Sequence, residues 1–315
     1  MTRSETSSFG TVSRTAHDST QFYNRRMYDD EPAVEPAGDY NECLPAQVNV
    51  VHCADARQMT HLPDESAHLM ITSPPYNVGK DYDENLSLDE YAELLADVLA
   101  ETFRVLVDGG RACVNIANVG RSPYIPLHAH IINSALRCGF NMRGEIIWDK
   151  GASAGSSCAW GSWRSASNPV LRDVHEYILI FSKGSFKRRS AGDGTGTNTI
   201  ERDDFLDATK SVWKFPAASA RRANHPAPFP LELPRRLIEL YSFAGDVVLD
   251  PFLGSGTTAE AAMRTGRDYV GYELDKGYAD LARERLAAVH AELAVEPAVE
   301  PTVEPAGEPA GRGAA

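Results

Sequence analysis

Apolar positions along this chain fall into short runs that alternate with amphipathic stretches. Val48–Cys53 is a brief apolar run closed by Ala54-Asp55, which reads as a strand with an acid at its carboxyl end. His68–Thr72 is a second strand, ended by Ser73-Pro74-Pro75-Tyr76. Ser87 opens a helix over Leu88–Leu106: Glu90 holds the capping-box position, and Tyr91, Leu94, Leu95, Val98 and Leu99 keep helical spacing. Gly109-Gly110 is expected to stop that helix before a third strand at Arg111–Ile116. Further helices are predicted at Leu127–Cys138, Leu231–Ser242, Thr257–Arg264 and Lys276–Leu293. Further strands are predicted at Glu145–Trp148, Tyr177–Phe181, Val247–Leu249 and Tyr269–Tyr272. Strands alternating with helices predict an α/β fold, a mostly parallel twisted sheet with helices on both faces. The Gly-rich, aperiodic residues 183–210 read as a flexible insertion loop.

Composition bounds the function. With 315 residues and 43% apolar side chains, the chain can bury a large core. No apolar run approaches the roughly 18 residues that cross a bilayer, and no signal-peptide core stands at the start, so no membrane partner is expected. The five cysteines are widely spaced and never form a C-x-x-C pair, which argues against a disulfide scaffold or zinc site and for a reducing cytoplasm. No metal is expected.

The net charge of −13 speaks at first against nucleic acid. Its distribution changes that picture. The first 42 residues carry eight acids against four bases, and residues 291–315 five against one. A proline at every fourth position of the Val-Glu-Pro repeats forbids a helix there, and both ends read as extended, solvated tails. Residues 137–222 instead hold 14 Lys or Arg against 9 Asp or Glu, interleaved with all four tryptophans, Trp148, Trp160, Trp163 and Trp213. Basic plus aromatic is the composition of a nucleic-acid surface, although core tryptophans beneath a solvated face would look the same. Arginines outnumber lysines 24 to 7, which, with the Glu-Pro tails, points to a salt-adapted or GC-rich source.

Asp250-Pro-Phe-Leu-Gly-Ser-Gly-Thr-Thr258 follows a strand and opens a helix. Gly254 and Gly256 let a ligand approach the backbone, and the helix start offers free N–H groups. Gly254–Ala259 also satisfies G-x-G-x-x-A, with Glu273 ending the next strand, so a nicotinamide-dependent oxidoreductase stays open on the glycines alone. An Asp at the head of the loop suits an ammonium and repels a pyrophosphate, and Glu273 suits ribose hydroxyls. A cationic adenosine derivative fits better.

Asp250–Thr258 and Ser73–Tyr76 together resemble the cofactor and catalytic motifs of the DNA amino-methyltransferases, and their order in the chain resembles the beta group of that family. The resemblance covers roughly residues 48–290. It implies a circularly permuted Rossmann-like methyltransferase fold with a small target-recognition insertion. The implied organisation is an acidic tail (1–42), a catalytic half (43–148), a recognition region that includes a core strand near 176–182 (149–222), a cofactor half (223–293) and a Glu-Pro tail (294–315).

The cofactor implied is S-adenosylmethionine, which leaves as S-adenosylhomocysteine. Asp250 would face its ammonium, Phe252 would pack beside it, and Gly254, Gly256 and Thr257 would form its loop. Glu273 would hold the ribose and Asp55 would sit near the adenine. His225-Pro226 resembles the motif that completes the methionine pocket.

The chemistry accounts for the tetrapeptide. A base's exocyclic amine is a poor nucleophile because its lone pair is delocalised. Ser73 Oγ and the Pro74 carbonyl can accept its two protons and hold the lone pair toward the sulfonium methyl. Pro75 stiffens the turn, and Tyr76 offers a flat face to a base rotated out of the duplex. No cysteine follows a proline, which disfavours C5-cytosine chemistry. Ser at the first position resembles the N4-cytosine enzymes; an N6-adenine enzyme of the same fold is the alternative. A DNA-binding regulator without activity is a more distant reading, and methylation of RNA or of a protein glutamine more distant again.

Trp160-Gly-Ser-Trp163, Ser165–Pro169 and His175-Glu176 resemble the block leading out of the recognition region in N4-cytosine enzymes. Arg164, Arg172, Lys187, Arg188 and Arg189 are candidate phosphate contacts, alongside Trp160 and Trp163. The partner implied is double-stranded DNA, read at a short palindromic site with a weak likeness to CTAG-type archaeal enzymes. A cognate restriction endonuclease, and a monomer or homodimer, are compatible with the family.

Overall fold

The computed structural model describes residues 47–76, 85–120, 122–151, 161–188, 196–217 and 229–295. It also describes two short parallel strands, Ser4–Glu5 and His17–Asp18. The rest of both predicted tails, from residue 296 onward at the carboxyl end, lies outside the described residues, as do Trp160, Arg189 and His225.

Among the described residues eight strands form one sheet: β1 (Val50–Cys53), β2 (Ala67–Thr72), β3 (Leu106–Ile116), β4 (Phe140–Asp149), β5 (His175–Lys183), β6 (Val212–Lys214), β7 (Val247–Asp250) and β8 (Asp268–Glu273). Their order is β6-β4-β5-β3-β2-β7-β8-β1. Every neighbouring pair is parallel except the two that involve β5, which runs against the rest. β2 and β7 are buried along their whole lengths, as central strands covered on both faces must be.

Among the described residues six helices cover the sheet: α1 (Leu88–Val105), α2 (Leu127–Arg137), α3 (Arg202–Ala208), α4 (Glu232–Tyr241), α5 (Thr257–Arg264) and α6 (Lys276–Val295). The capping box forms as its residue types require, with Ser87 accepting from Glu90 N and Glu90 accepting from Ser87 N. Tyr91, Leu95, Val98 and Leu99 of α1 join Leu127 and Ile131 of α2 in one core. Leu233 and Leu237 of α4, Ala259 of α5, and Ala282 and Leu286 of α6 build the other core, on the opposite face. The α/β class and helices on both faces are as the pattern predicted.

Two expectations are corrected, and one open alternative is decided. Gly109-Gly110 does not stop α1. The helix ends at Val105, Leu106 is already extended, and the glycines lie inside β3. There the pairing with β2 jumps from Ala67–Leu106 to Leu69–Arg111, and a Cβ on Gly109 would meet the Lys187 carbonyl at 2.7 Å. The glycines therefore permit a bulge and a close approach. Residues 183–210 are not wholly loop, because α3 lies among them; seven residues are too few to show a period. Of the two readings left open for the tryptophans, the core one holds for two of them. Trp148 and Trp213 are buried core residues whose indole N–H groups donate to Phe215 O and Ala208 O. Trp213 lies on β6, the short strand that extends the sheet beyond β4.

Candidate active site

The carboxyl ends of the seven parallel strands define one edge of the sheet. Along it stand, in spatial order, Asp55 after β1, Glu273 at the end of β8, Asp250 at the end of β7, Ser73 after β2 and Asn115 near the end of β3. β2 and β7 are adjacent, yet the chain leaves them in opposite directions, toward β3 and β8. Such a switch point opens a crevice for ligands in open α/β sheets.

In the cofactor loop Gly254 and Gly256 have φ of +53° and +87°, the left-handed region that glycine enters freely. Glu273 closes the loop by accepting from Gly254 N at 2.8 Å. Arg285 of α6 clamps it from the far side, pairing with Glu260 at 2.6 Å and donating to Thr257 Oγ1 at 3.1 Å. Asp250 is 2% exposed and fully engaged. Its Oδ1 accepts from Thr72 Oγ1 (2.6 Å) and Phe252 N (3.0 Å), and its Oδ2 from Thr258 Oγ1 (2.6 Å). Burial pushes its pKa up from 3.8 to about 6 against those bonds. Burial also raises Glu273, against bonds from Asp275 N and Gly254 N. Asp55 is chelated by Arg57, whose side-chain hydrogen bonds hold its carboxyl below the ordinary range.

Three carboxylates therefore stand at the carboxyl ends of three adjacent strands, two of them disfavoured as anions by burial. A cation relieves that cost, whereas a pyrophosphate adds to it. The site fits a cationic adenosine cofactor and not a nicotinamide dinucleotide. Phe252 and Pro74 border one small apolar cavity of about 20 Å³ with Met70, Thr72 and Val114, so the cofactor loop and the catalytic turn rest on the same core.

In the catalytic turn Pro74 is buried, and Ser73, Pro75 and Tyr76 are half-buried. Ser73 Oγ lies 3.4 Å from Tyr76 Oη, which donates to Glu176 Oε2 at 3.1 Å. Burial, then the nearby Glu176 carboxylate, raises the Tyr76 phenol well above its ordinary pKa, so it stays protonated and able to donate. Asn115 donates to the same Glu176 oxygen at 2.7 Å, and Lys150 Nζ pairs with Oε1 at 2.8 Å. Asn115 and Lys150 were not among the residues predicted. A lone amide within the apolar run Cys113–Ile116 was the available signal for Asn115, and Lys150 had none.

The candidate DNA contacts divide by edge. Residues 161–174 join β4 to β5 above the catalytic edge, and there Trp163 is 66% exposed and Arg164 and Arg172 are exposed. Lys187 and Arg188 lie at the other edge. β5 is antiparallel, and its nine residues, at about 3.3 Å each, carry the chain the full depth of the sheet away from Ser73. Arg188 is moreover a buried partner of Asp246, just before β7, and stacks over Phe243 at 4.6 Å. It does not offer its charge to a phosphate.

Comparison with known proteins agrees with this geometry. The sequence model of the N6/N4 methyltransferase family, described as DNA methylase, matches residues 67–284. Type II methyltransferase M.MjaI of Methanocaldococcus jannaschii is 32% identical over 286 residues, spanning 77% of this chain and 92% of that one. DNA adenine methyltransferase YhdJ of Escherichia coli K12 is 28% identical over 250 residues, covering 75% and 82%. Among solved structures, a putative DNA modification methylase from Thermus thermophilus, complexed with S-adenosyl-L-methionine, superposes with a TM-score of 0.61. It is 33% identical and covers 76% of this chain and 95% of its own. The chain belongs to the N6/N4 family of DNA methylases.

Proposed function

We propose that this protein transfers a methyl group to the exocyclic N4 of cytosine within a short, palindromic duplex DNA site, using S-adenosyl-L-methionine as donor. The observation that carries the reading is the placement of Ser73–Tyr76 and Asp250–Gly256 on adjacent strands at one switch point, tied together through Thr72 and Asp250.

The donor supplies a methyl group on a positively charged sulfur. Asp250 would favour its ammonium, Glu273 its ribose hydroxyls and Asp55 its adenine, while Phe252 and Thr257 shape the loop that receives it. Ser73 Oγ and the Pro74 carbonyl would accept the two protons of the target amine and set its lone pair in line. Tyr76 would lie against the base once it leaves the duplex. Trp163, Arg164 and Arg172, on the catalytic side, would meet the DNA. Ser at the head of the tetrapeptide favours cytosine. An N6-adenine target is the second reading, favoured by the likeness to a DNA adenine methyltransferase.

Expression in a heterologous host, followed by sequencing its DNA for modified bases, reports base and context together. N4-methylcytosine at one recurring site is expected. N6-methyladenine alone, or an unmodified genome in cells that hold the folded protein, contradicts the proposal.

A further inference from the structure

Glu176, the second residue of β5, stands beside the catalytic turn without belonging to it, and its side chain bonds to Tyr76 of that turn, to Asn115 and to Lys150. One oxygen takes the Tyr76 and Asn115 hydrogens, the other the Lys150 ammonium. Its side chain is 13% exposed and that of Lys150 is 19% exposed. A carboxylate so enclosed is costly unless paired, and Lys150 supplies the pair.

The consequence for Ser73 follows from counting hydrogens. A tyrosine hydroxyl has one hydrogen and two lone pairs. Spent on Glu176, that hydrogen leaves only lone pairs toward Ser73, so the Ser73 hydrogen turns to Tyr76 and its own lone pairs turn outward. A serine hydroxyl is otherwise free to donate or accept. Pointed the wrong way, its hydrogen would occupy the lone pair that the target amine must use. Asn115 Nδ2 spends one of its two hydrogens on Glu176; the other, 3.5 Å from both hydroxyl oxygens, can reach only one of them and asks that oxygen to accept.

We propose that Glu176, fixed by Lys150, is a positioning residue that acts through Tyr76 to make Ser73 an obligate hydrogen-bond acceptor for the target amino group. This rests on the reading of Ser73 as the group that meets the amine.

Single-turnover methyl transfer by Glu176→Gln, Tyr76→Phe and the double variant tests it, with the dissociation constants for DNA and S-adenosyl-L-methionine measured separately. Each single variant slows transfer roughly 10- to 100-fold while both affinities stay within about twofold, and the double variant is no slower than the slower single, because both break one chain. Glu176→Asp recovers part of the rate. Multiplying losses, a rate within about twofold of wild type for either single variant, or an equal loss of cofactor affinity would each overturn the proposal. Tyr76→Phe leaves the Lys150–Glu176 pair intact, so it decides the matter if Glu176→Gln does not fold. An inactive Ser73→Ala beside unaffected Glu176→Gln and Tyr76→Phe refutes only this inference. An active Ser73→Ala refutes the site itself.

Discussion

Thr72 donates its hydroxyl hydrogen to Asp250 Oδ1 across 2.6 Å, which joins the residue before the catalytic turn to the first residue of the cofactor loop. The two come from parallel neighbours, β2 and β7, and are 178 positions apart in the chain. Thr72→Val keeps the shape and removes the donor, leaving a buried carboxylate one bond short. It should destabilise the fold by roughly 1–3 kcal/mol and weaken cofactor affinity together with methyl transfer. Thermal unfolding and calorimetric titration check both. An unchanged affinity would mean that the two loops are not coupled through this bond.

The pH dependence of cofactor binding follows from Asp250. Its folded pKa of about 6 exceeds 3.8, so between those values the folded chain holds a proton that the unfolded chain has released. Its contribution to stability is therefore greatest below about pH 3.8 and declines as pH rises through 6. A cationic ligand needs the ionised form and so behaves oppositely. Affinity for S-adenosyl-L-methionine should fall as pH drops below about 6, with Glu273, also raised by burial, acting in the same direction. Asp250→Asn should weaken binding and flatten its dependence near pH 6. A dependence that persists unchanged in Asp250→Asn would assign it to another group.

Gly256 caps α5 at φ +87°, and a Cβ there would sit 3.3 Å from the Ala282 side chain. Gly256→Ala should cost roughly 1–2 kcal/mol of stability and most of the cofactor affinity, since strain and crowding displace the loop together. Retained affinity at lowered stability would show that the loop's exact path is not what the cofactor reads.

The basic side chains should separate into two classes. Arg188→Ala leaves Asp246 buried beside a vacant space and should cost several kcal/mol of stability, with little effect on DNA affinity per folded molecule. Arg164→Ala and Arg172→Ala should leave stability nearly unchanged, weaken DNA binding and each lower the salt slope by about one. Binding titrations over a salt series distinguish them. A lowered slope for Arg188→Ala would return it to the DNA surface.

Much of the site was legible because its parts are local. The strand–Ser-Pro-Pro-Tyr turn and the Asp-Pro-Phe-Leu-Gly-Ser-Gly loop each declare themselves within ten residues, and the capping box at Ser87 fixed the start of α1. What stayed hidden depends on partners distant in the chain. The reversal of β5 sends Lys187 and Arg188 to the wrong edge, and no local pattern reports a strand's direction. The clamp by Arg285 and the Lys150–Glu176–Tyr76 chain form only once strands are ordered. The basic-aromatic stretch left two readings open, since composition cannot tell Trp213 in the core from Trp163 at the surface.

Methylation of the cytosine amino group held by Ser73 is tested most directly by the identity of the product base. Duplex DNA methylated in vitro by the wild-type chain is digested to nucleosides and resolved by mass, with Ser73→Ala in parallel and its cofactor affinity measured. N4-methylcytosine from the wild type, and none from a Ser73→Ala protein that still binds S-adenosyl-L-methionine, is the predicted result. N6-methyladenine alone, or undiminished product from Ser73→Ala, would contradict it.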